Sequence, residues 1–352
     1  MPIDQARLQQ FIGKAINEWG AAEGTLLNFI GDRLGLFKAM AGAGPLTPEE
    51  LAAKTGTHPR MILEWLAAQA AGGIVTYNAA TKTYVIPEEH AMALTDENSP
   101  AYIAGFYQTI VSLFKDEEKI INAYRTGTGL GWGDHHHYLF EGTERFFKPN
   151  YVANLISSWI PSLDGVEARL KNGGAKVADV GCGHGASTIL MARSYPDAKI
   201  IGFDYHRPSI ESARNRAERA GLKNVTFEVA GSTNYPGDDY DFVTCFDCFH
   251  DMGDPSGAAK YVLQSLRKKD GTWMLVEPFA NDKVEDNLNE VGRVFYAASA
   301  TICVPASLNE HGPALGAQAG EARIKEIVTR AGFTRFRRAA QTPFNFVFEA
   351  RP

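Results

Sequence analysis

The sequence predicts an α/β protein, with a doubly wound sheet in its second half behind a mainly helical first part. Three observations predict it. Apolar residues recur at helical spacing near the start of the chain. From Val177 onward, short apolar strand segments alternate with helical ones. The first of those strands, Val177–Val180, runs into a glycine-rich turn, Gly181-Cys182-Gly183-His184-Gly185, and then into a helix. At 352 residues the chain is long enough for two domains. The expected divisions are 1–95 (helices and a small helical domain), 96–160 (a helical connector or substrate lid) and 161–352 (the sheet domain).

Leu8, Phe11, Ile12, Ala15, Ile16 and Trp19 share one helical face. Gly20 and Gly24 are expected to end that helix, and Leu26, Ile30, Leu34 and Phe37 to mark a second. Such stripes must be buried, on their own domain or on a second subunit. Pro45–Leu51 carries a helix start: Thr47 can cap, Pro48 suits the first turn, and Glu50 sits three after the cap. Another helix begins at His58-Pro59-Arg60. Ile74–Tyr77 and Thr83–Ile86 flank a polar turn and read as a hairpin. Helix, turn, helix and hairpin make a winged-helix pattern. Residues 41–95 hold three basic side chains (Lys54, Arg60, Lys82) against five glutamates. DNA affinity depends on several cationic contacts to phosphate, so a dimerisation and substrate-lid module is the preferred reading, and nucleic acid is not an expected partner.

Residues 97–160 are helical and aromatic-rich, broken by Gly127, Gly129, Gly131 and Gly133. The run His135-His136-His137 has no accompanying Cys or carboxylate pattern. It reads as a solvated or substrate-lining loop, and no metal site is expected. The net charge of −6 argues against an anionic polymer as partner. The longest apolar runs are strand-length, so no membrane-spanning helix is expected. The first residues lack the pattern of a secretion signal. Four cysteines fit a reducing compartment, which makes the cytoplasm the expected location. Cys245-x-x-Cys248 lacks a partner pair, and Cys182 and Cys303 are isolated; all four read as structural thiols.

The glycine spacing is G-x-G-x-G, neither the dinucleotide fingerprint nor a phosphate loop. Glycines let the backbone turn tightly and approach a ligand, and the next helix points free N–H groups at it. Lys199–Asp204 is a second short strand ending in an acid. An acid there can accept both ribose hydroxyls of a nucleoside, each bond contributing roughly 1.5–3 kcal/mol. Asp179 with Gly181, Gly183 and Gly185, followed by Asp204, resembles the first two motifs of the class I S-adenosylmethionine-dependent methyltransferases. The resemblance implies a Rossmann-like seven-stranded sheet ending in an antiparallel hairpin, with S-adenosyl-L-methionine as cofactor. Gly231-Ser232 ends the third strand where the family often has Gly-Asp; Ser232 puts the usual adenine contact in doubt. Tyr205, Phe246 and Asp247 are expected beside the adenine or the methionine moiety.

Cys248-Phe249-His250-Asp251-Met252-Gly253-Asp254 leaves the fourth strand at the carboxyl edge of the sheet, where ligands of open α/β sheets bind. It is similar to the His-Asp-Trp-x-Asp segment of plant-type and bacterial small-molecule O-methyltransferases, which carry an N-terminal winged-helix dimerisation domain. Met252 stands where the family has Trp. The resemblance implies a homodimer, a small hydroxylated aromatic acceptor, and His250 as general base. The chemistry supports that role. A phenol has a pKa of about 10, and an imidazole near 6.5 can take its proton during attack. Asp251 or another acid could orient the ring. Glu277 to Gly320 is expected as a helical insertion over the acceptor. Two alternatives stay open: a winged-helix regulator that binds the cofactor or another ligand, and a methyltransferase acting on nitrogen, sulfur or carbon.

Overall fold

The computed structural model describes residues 3–352. The chain forms two compact units, one running to Phe114 with His137–Pro149, the other Lys115–His136 with Asn150–Pro352. The stretch 96–160, expected as one connector, is shared between them. The reason is local. Leu130 donates to the Pro305 carbonyl at 2.9 Å, and Gly129 and Gly131 pack on Asn309, which holds the glycine-rich segment to the second unit.

The first unit opens with one continuous helix, Gln5–Arg33, capped by the Asp4 carboxylate. Gly20 and Gly24 do not end it. An interior glycine costs about 1 kcal/mol, which a 29-residue helix absorbs. The true stop is Gly35, at φ +69°. The helix Pro48–Thr55 has the expected capping box: Thr47 accepts from Glu50 N–H at 3.2 Å, and Glu50 accepts from Thr47 N–H at 2.8 Å. The helix Pro59–Ala71 follows, then strands β1 (Thr76–Asn78) and β2 (Thr83–Val85), paired antiparallel. Leu36, Phe37, Leu51, Trp65 and Leu66 form the centre of this unit. Arg60 pairs with Glu64 one turn on, at 2.5 Å, so the second helix of the motif presents a neutral pair where a DNA reader would present a cation.

The second unit is built on a seven-stranded sheet. Its strands are β3 (Lys176–Val180), β4 (Lys199–Asp204), β5 (Val225–Val229), β6 (Phe242–Phe246), β7 (Thr272–Pro278), β8 (Arg335–Gln341) and β9 (Asn345–Arg351). The order is β5-β4-β3-β6-β7-β9-β8. The first five are parallel; β9 and β8 are antiparallel, as the family resemblance implied. Parallel strands buried on both faces read as near-continuous apolar runs, and β6 and β7 are buried at every position. The parallel order brings Val180, Asp204, Val229, Phe246 and Pro278 to one edge.

The insertion after β7 differs from expectation in one respect. Glu290–Asn309 is a single helical run with a π turn at Ser299–Cys303, and by length and composition it could cross a membrane. Its Phe295, Ile302, Cys303 and Ala306 are buried within the unit, as in a core helix.

Candidate active site

The glycine turn leaves β3 with Gly181, Gly183 and Gly185 at φ +77°, +51° and +78°, a region costly for any residue with a Cβ. Two of them are also required by packing. A Cβ at Gly181 would lie 2.6 Å from the Cys248 sulfur, and one at Gly185 2.8 Å from the Phe227 ring. At Gly183 a Cβ would meet nothing within 4 Å, so this side of the turn is open. The N–H groups of Gly181 and Cys182 bond the Phe203 carbonyl at 2.8 and 3.0 Å, tying the turn to β4.

Asp179 braces this turn from beneath. It is fully buried. One oxygen takes the Ser187 and Thr188 hydroxyls at 2.8 and 2.6 Å, and the other takes Thr244 at 2.9 Å. The expected cofactor contact is thereby corrected: with its oxygens committed inward, Asp179 positions the helix Ala186–Ser194 on the sheet. Burial raises its pKa, against the three hydroxyls that lower it.

Asp204 ends β4 and faces the turn. Its Oδ2 accepts Gly183 N–H at 2.9 Å and its Oδ1 accepts His206 N–H at 2.8 Å, which leaves a lone pair on each oxygen. Burial raises its pKa, while the two N–H groups work in the other direction. Tyr205 exposes its ring at the same edge. Gly231 and Ser232 lie in the turn after β5, closed by Gly231 N–H on Asn234 at 2.8 Å. Asp204 pairs with Val229, so that turn runs beside it.

Phe246 is placed differently from expectation. It is buried, with its ring 5.2 Å from Tyr151 and 6.4 Å from Trp159, and belongs to an aromatic cluster rather than to an open cofactor face. Asp247, one residue on, adopts φ +50°. Its carboxylate takes Asn345 Nδ2 at 2.6 Å and the Tyr151 hydroxyl at 3.4 Å. Burial, and after it Glu277, push its pKa well above the usual range.

His250 sits in a short 3₁₀ turn, Phe249–Asp251, at the end of β6. Its Nδ1 lies 2.7 Å from Glu277 Oε2, and Glu277 Oε1 accepts Phe249 N–H at 3.1 Å. His250 and Glu277 are 3% and 1% exposed, so this pair is out of water. Burial disfavours the charged imidazole, but the Glu277 carboxylate and the Cys303 sulfur together outweigh it and lift the His250 pKa well above its ordinary value. Asp251, left open in the sequence as an orienting acid, is not that partner; burial raises its pKa to about 7. Glu277 was legible in principle. It is the one acid in the apolar strand Thr272–Pro278, one step past the Phe246↔Val276 register pair. Cys303, read as an isolated structural thiol, brings its sulfur within 4.8 Å of ligand atoms of both His250 and Asp251.

His135 is not a solvated residue. Its side chain is buried against Asp116, Nδ1 to Oδ2 at 3.2 Å, and His136 N–H bonds the same oxygen at 2.6 Å. All four cysteines are free thiols.

What the arrangement offers is an open backbone turn, an acid at the neighbouring strand tip, and a buried imidazole–carboxylate pair, all on one sheet edge. Two stretches of the chain match known families. Residues 171–332 match a family described as a methyltransferase domain, and residues 22–96 match the Rv2258c-like winged HTH domain. An uncharacterized methyltransferase of Bacillus subtilis is 31% identical over 123 residues, 34% of this chain and 47% of that protein. A ubiquinone biosynthesis O-methyltransferase of Actinobacillus pleuropneumoniae is 32% identical over 133 residues, 36% of this chain and 53% of that protein. The chain thus spans about half the length of these curated relatives. Human N-acetylserotonin methyltransferase, solved in complex with S-adenosylmethionine, shares the fold over 99% of this chain and 98% of its own, with a TM-score of 0.71 at 16% identity. The chain thus carries a methyltransferase domain over residues 171–332, with a seven-stranded sheet, and a winged-helix domain over residues 22–96.

Proposed function

We propose that this protein is a homodimeric, cytoplasmic enzyme that transfers a methyl group from S-adenosyl-L-methionine to a hydroxyl of a small aromatic molecule. The observation that carries the reading is the buried His250–Glu277 pair at 2.7 Å, on the sheet edge that also presents the glycine turn.

The residues at this edge fit the cofactor. Gly183 is open to a ligand, Asp204 keeps acceptor capacity for ribose hydroxyls, and Tyr205 offers an exposed ring to the adenine. Burial raises the pKa of Asp204, Asp247 and Asp251 alike, so a cationic ligand would favour their charged forms. S-adenosylmethionine supplies a methyl group on a sulfonium, an electrophile with a good leaving group. The chain's own task is then to align the acceptor oxygen, exclude water and remove a proton. With Nδ1 held by Glu277, His250 in its neutral form takes the acceptor's proton on Nε2 during attack; its raised pKa places that form toward alkaline pH, and a cationic sulfonium beside the ring works in the other direction. Glu277 stabilises the resulting imidazolium. Such a positioned base contributes about 10²–10⁴-fold. The curated relatives include both O- and N-methyltransferases; the sequence resemblance and the O-methyltransferase names among the similar solved structures support oxygen as acceptor.

The dimer is supported by the helix Gln5–Arg33, whose Leu8, Phe11, Ile12, Ile16, Trp19 and Leu26 are exposed at helical spacing. The cytoplasmic location is supported by the four free thiols.

The test is methyl transfer from labelled cofactor to a panel of phenols and catechols. Wild type should transfer; His250→Ala should bind cofactor as before and lose transfer by about 10²-fold or more. Full transfer to a phenol by the variant would remove His250 from the base role.

A further inference from the structure

We infer that His250, Asp251 and Cys303 form a binding site for a thiophilic divalent cation such as Zn²⁺, and that the cation, once bound, stops methyl transfer. The second half rests on the base role of His250 proposed above; the first half does not.

An imidazole nitrogen, a carboxylate oxygen and a sulfur, all within 4.8 Å of one another, come together here from two elements: the 3₁₀ turn after β6 and the π turn Ser299–Cys303. Among the described residues no other His, Cys, Asp and Glu side chains converge in this way. The donor set has a definite preference. Thiolate and imidazole select borderline-soft cations over magnesium or calcium, and mixed Cys, His and carboxylate ligands are those of zinc. Zinc–ligand bonds of about 2.0–2.3 Å place neighbouring ligand atoms roughly 3.5 Å apart. Side-chain rotation of about an ångström therefore closes the present spacing.

A second feature points the same way. His250 Nδ1 is already committed to Glu277 at 2.7 Å, so the nitrogen left for a cation is Nε2. A carboxylate on the far nitrogen is what a metal-binding histidine requires: it fixes ring and tautomer and raises ligand basicity. Asp251 is half-buried, which leaves the site a side open to solvent, whereas His250 and Cys303 are buried. Three protein ligands leave a fourth position for water or an acceptor oxygen.

Binding would displace the Cys303 thiol proton, and any proton on His250 Nε2 or the Asp251 carboxyl, all of which go to solvent, and would engage the Nε2 lone pair. That lone pair is the one the base needs for the acceptor proton. An occupied site and a working base are therefore mutually exclusive.

The experiment uses the full chain, stripped with a chelator, and Zn²⁺ alone as probe. Affinity is read by competition with a chromophoric chelator, and transfer to a phenol is followed in parallel. We expect one equivalent bound per chain, transfer lost as that equivalent fills, and transfer restored by chelation. Cys303→Ser and Asp251→Asn should each weaken zinc by more than about tenfold, whereas Cys245→Ser, which removes a thiol of the C-x-x-C pair, should leave the affinity as it was. Each variant is compared with itself with and without zinc, so changes in its own turnover do not enter. Co²⁺ should give a thiolate charge-transfer band in wild type and Asp251→Asn but not in Cys303→Ser, an independent check should either variant fold poorly. Equal zinc affinity in wild type and in both ligand variants overturns the site. Tight, Cys303-dependent binding with undiminished transfer keeps the site and overturns the inhibition, and with it the base role of His250.

Discussion

Glu277 holds His250 and its turn with one carboxylate, taking the imidazole Nδ1 at 2.7 Å on Oε2 and the Phe249 N–H at 3.1 Å on Oε1. The pair is buried at the mouth of two parallel strands, so it is screened little by solvent. Removing the charge while keeping the shape separates positioning from folding. Glu277→Gln should lower kcat by about 10²-fold or more while the cofactor dissociation constant stays within about twofold. Stopped-flow or single-turnover transfer, with calorimetric cofactor titration, reads both. An equal loss in the two would make Glu277 a folding residue only.

Gly181 is constrained twice, by φ +77° and by the Cys248 sulfur at 2.6 Å from a would-be Cβ. Gly181→Ala should therefore cost about 1–2 kcal/mol for the backbone alone, with a further loss from the clash. Thermal melting should show a drop of several degrees and cofactor titration a weaker complex. The double variant Gly181→Ala/Cys248→Ala removes the nearest contact and should recover part of the loss. No recovery would mean that backbone strain accounts for all of it.

Much of this architecture was legible because its signals are local. The turn glycines and the acid at the tip of β4 each declare themselves within a few residues, and Thr47 with Glu50 spells out a cap. What was not legible depends on residues far apart in sequence. Asp179 looked like a ligand residue until Ser187, Thr188 and Thr244 closed around it. Phe246 ends a strand at the ligand edge, but the rings of Tyr151 and Trp159 cover it, and they come from a helix nearly a hundred residues earlier. Gly20 and Gly24 read as stops because propensity is local, whereas the long N-terminal helix continues through them. The partner of His250 lies on the neighbouring strand, a relation that only the β6–β7 register supplies.

Cofactor affinity should depend on pH through Asp204. Burial raises its pKa, and the charged form is the better acceptor for ribose hydroxyls. The sign follows: affinity is full above the raised pKa and falls as pH drops through it, beginning above the usual carboxylate value of about 3.9. Asp204→Asn should weaken binding by about ten- to a hundredfold at neutral pH and flatten this acid limb. Isothermal titration from neutral to mildly acidic pH makes the comparison. An unchanged limb in the variant would assign the dependence to another carboxylate at the edge, Asp247 or Asp251.

The apolar stripe on the helix Gln5–Arg33 makes the last prediction. Phe11 and Trp19 are each 67% exposed, two turns apart, with Leu8, Ile12 and Ile16 beside them. Burying a large apolar side chain contributes about 1.5–3 kcal/mol, so several of them leave water only if a partner surface covers them. A second copy offers the same stripe and closes by two-fold symmetry. Phe11→Glu/Trp19→Glu places two like charges on each side of that contact. Sedimentation velocity should show wild type as a dimer and the double variant as a monomer, with cofactor affinity per chain unchanged, because the glycine turn and Asp204 belong to the other unit. A wild-type monomer, or a variant that remains dimeric, would rule out this face as the dimer contact.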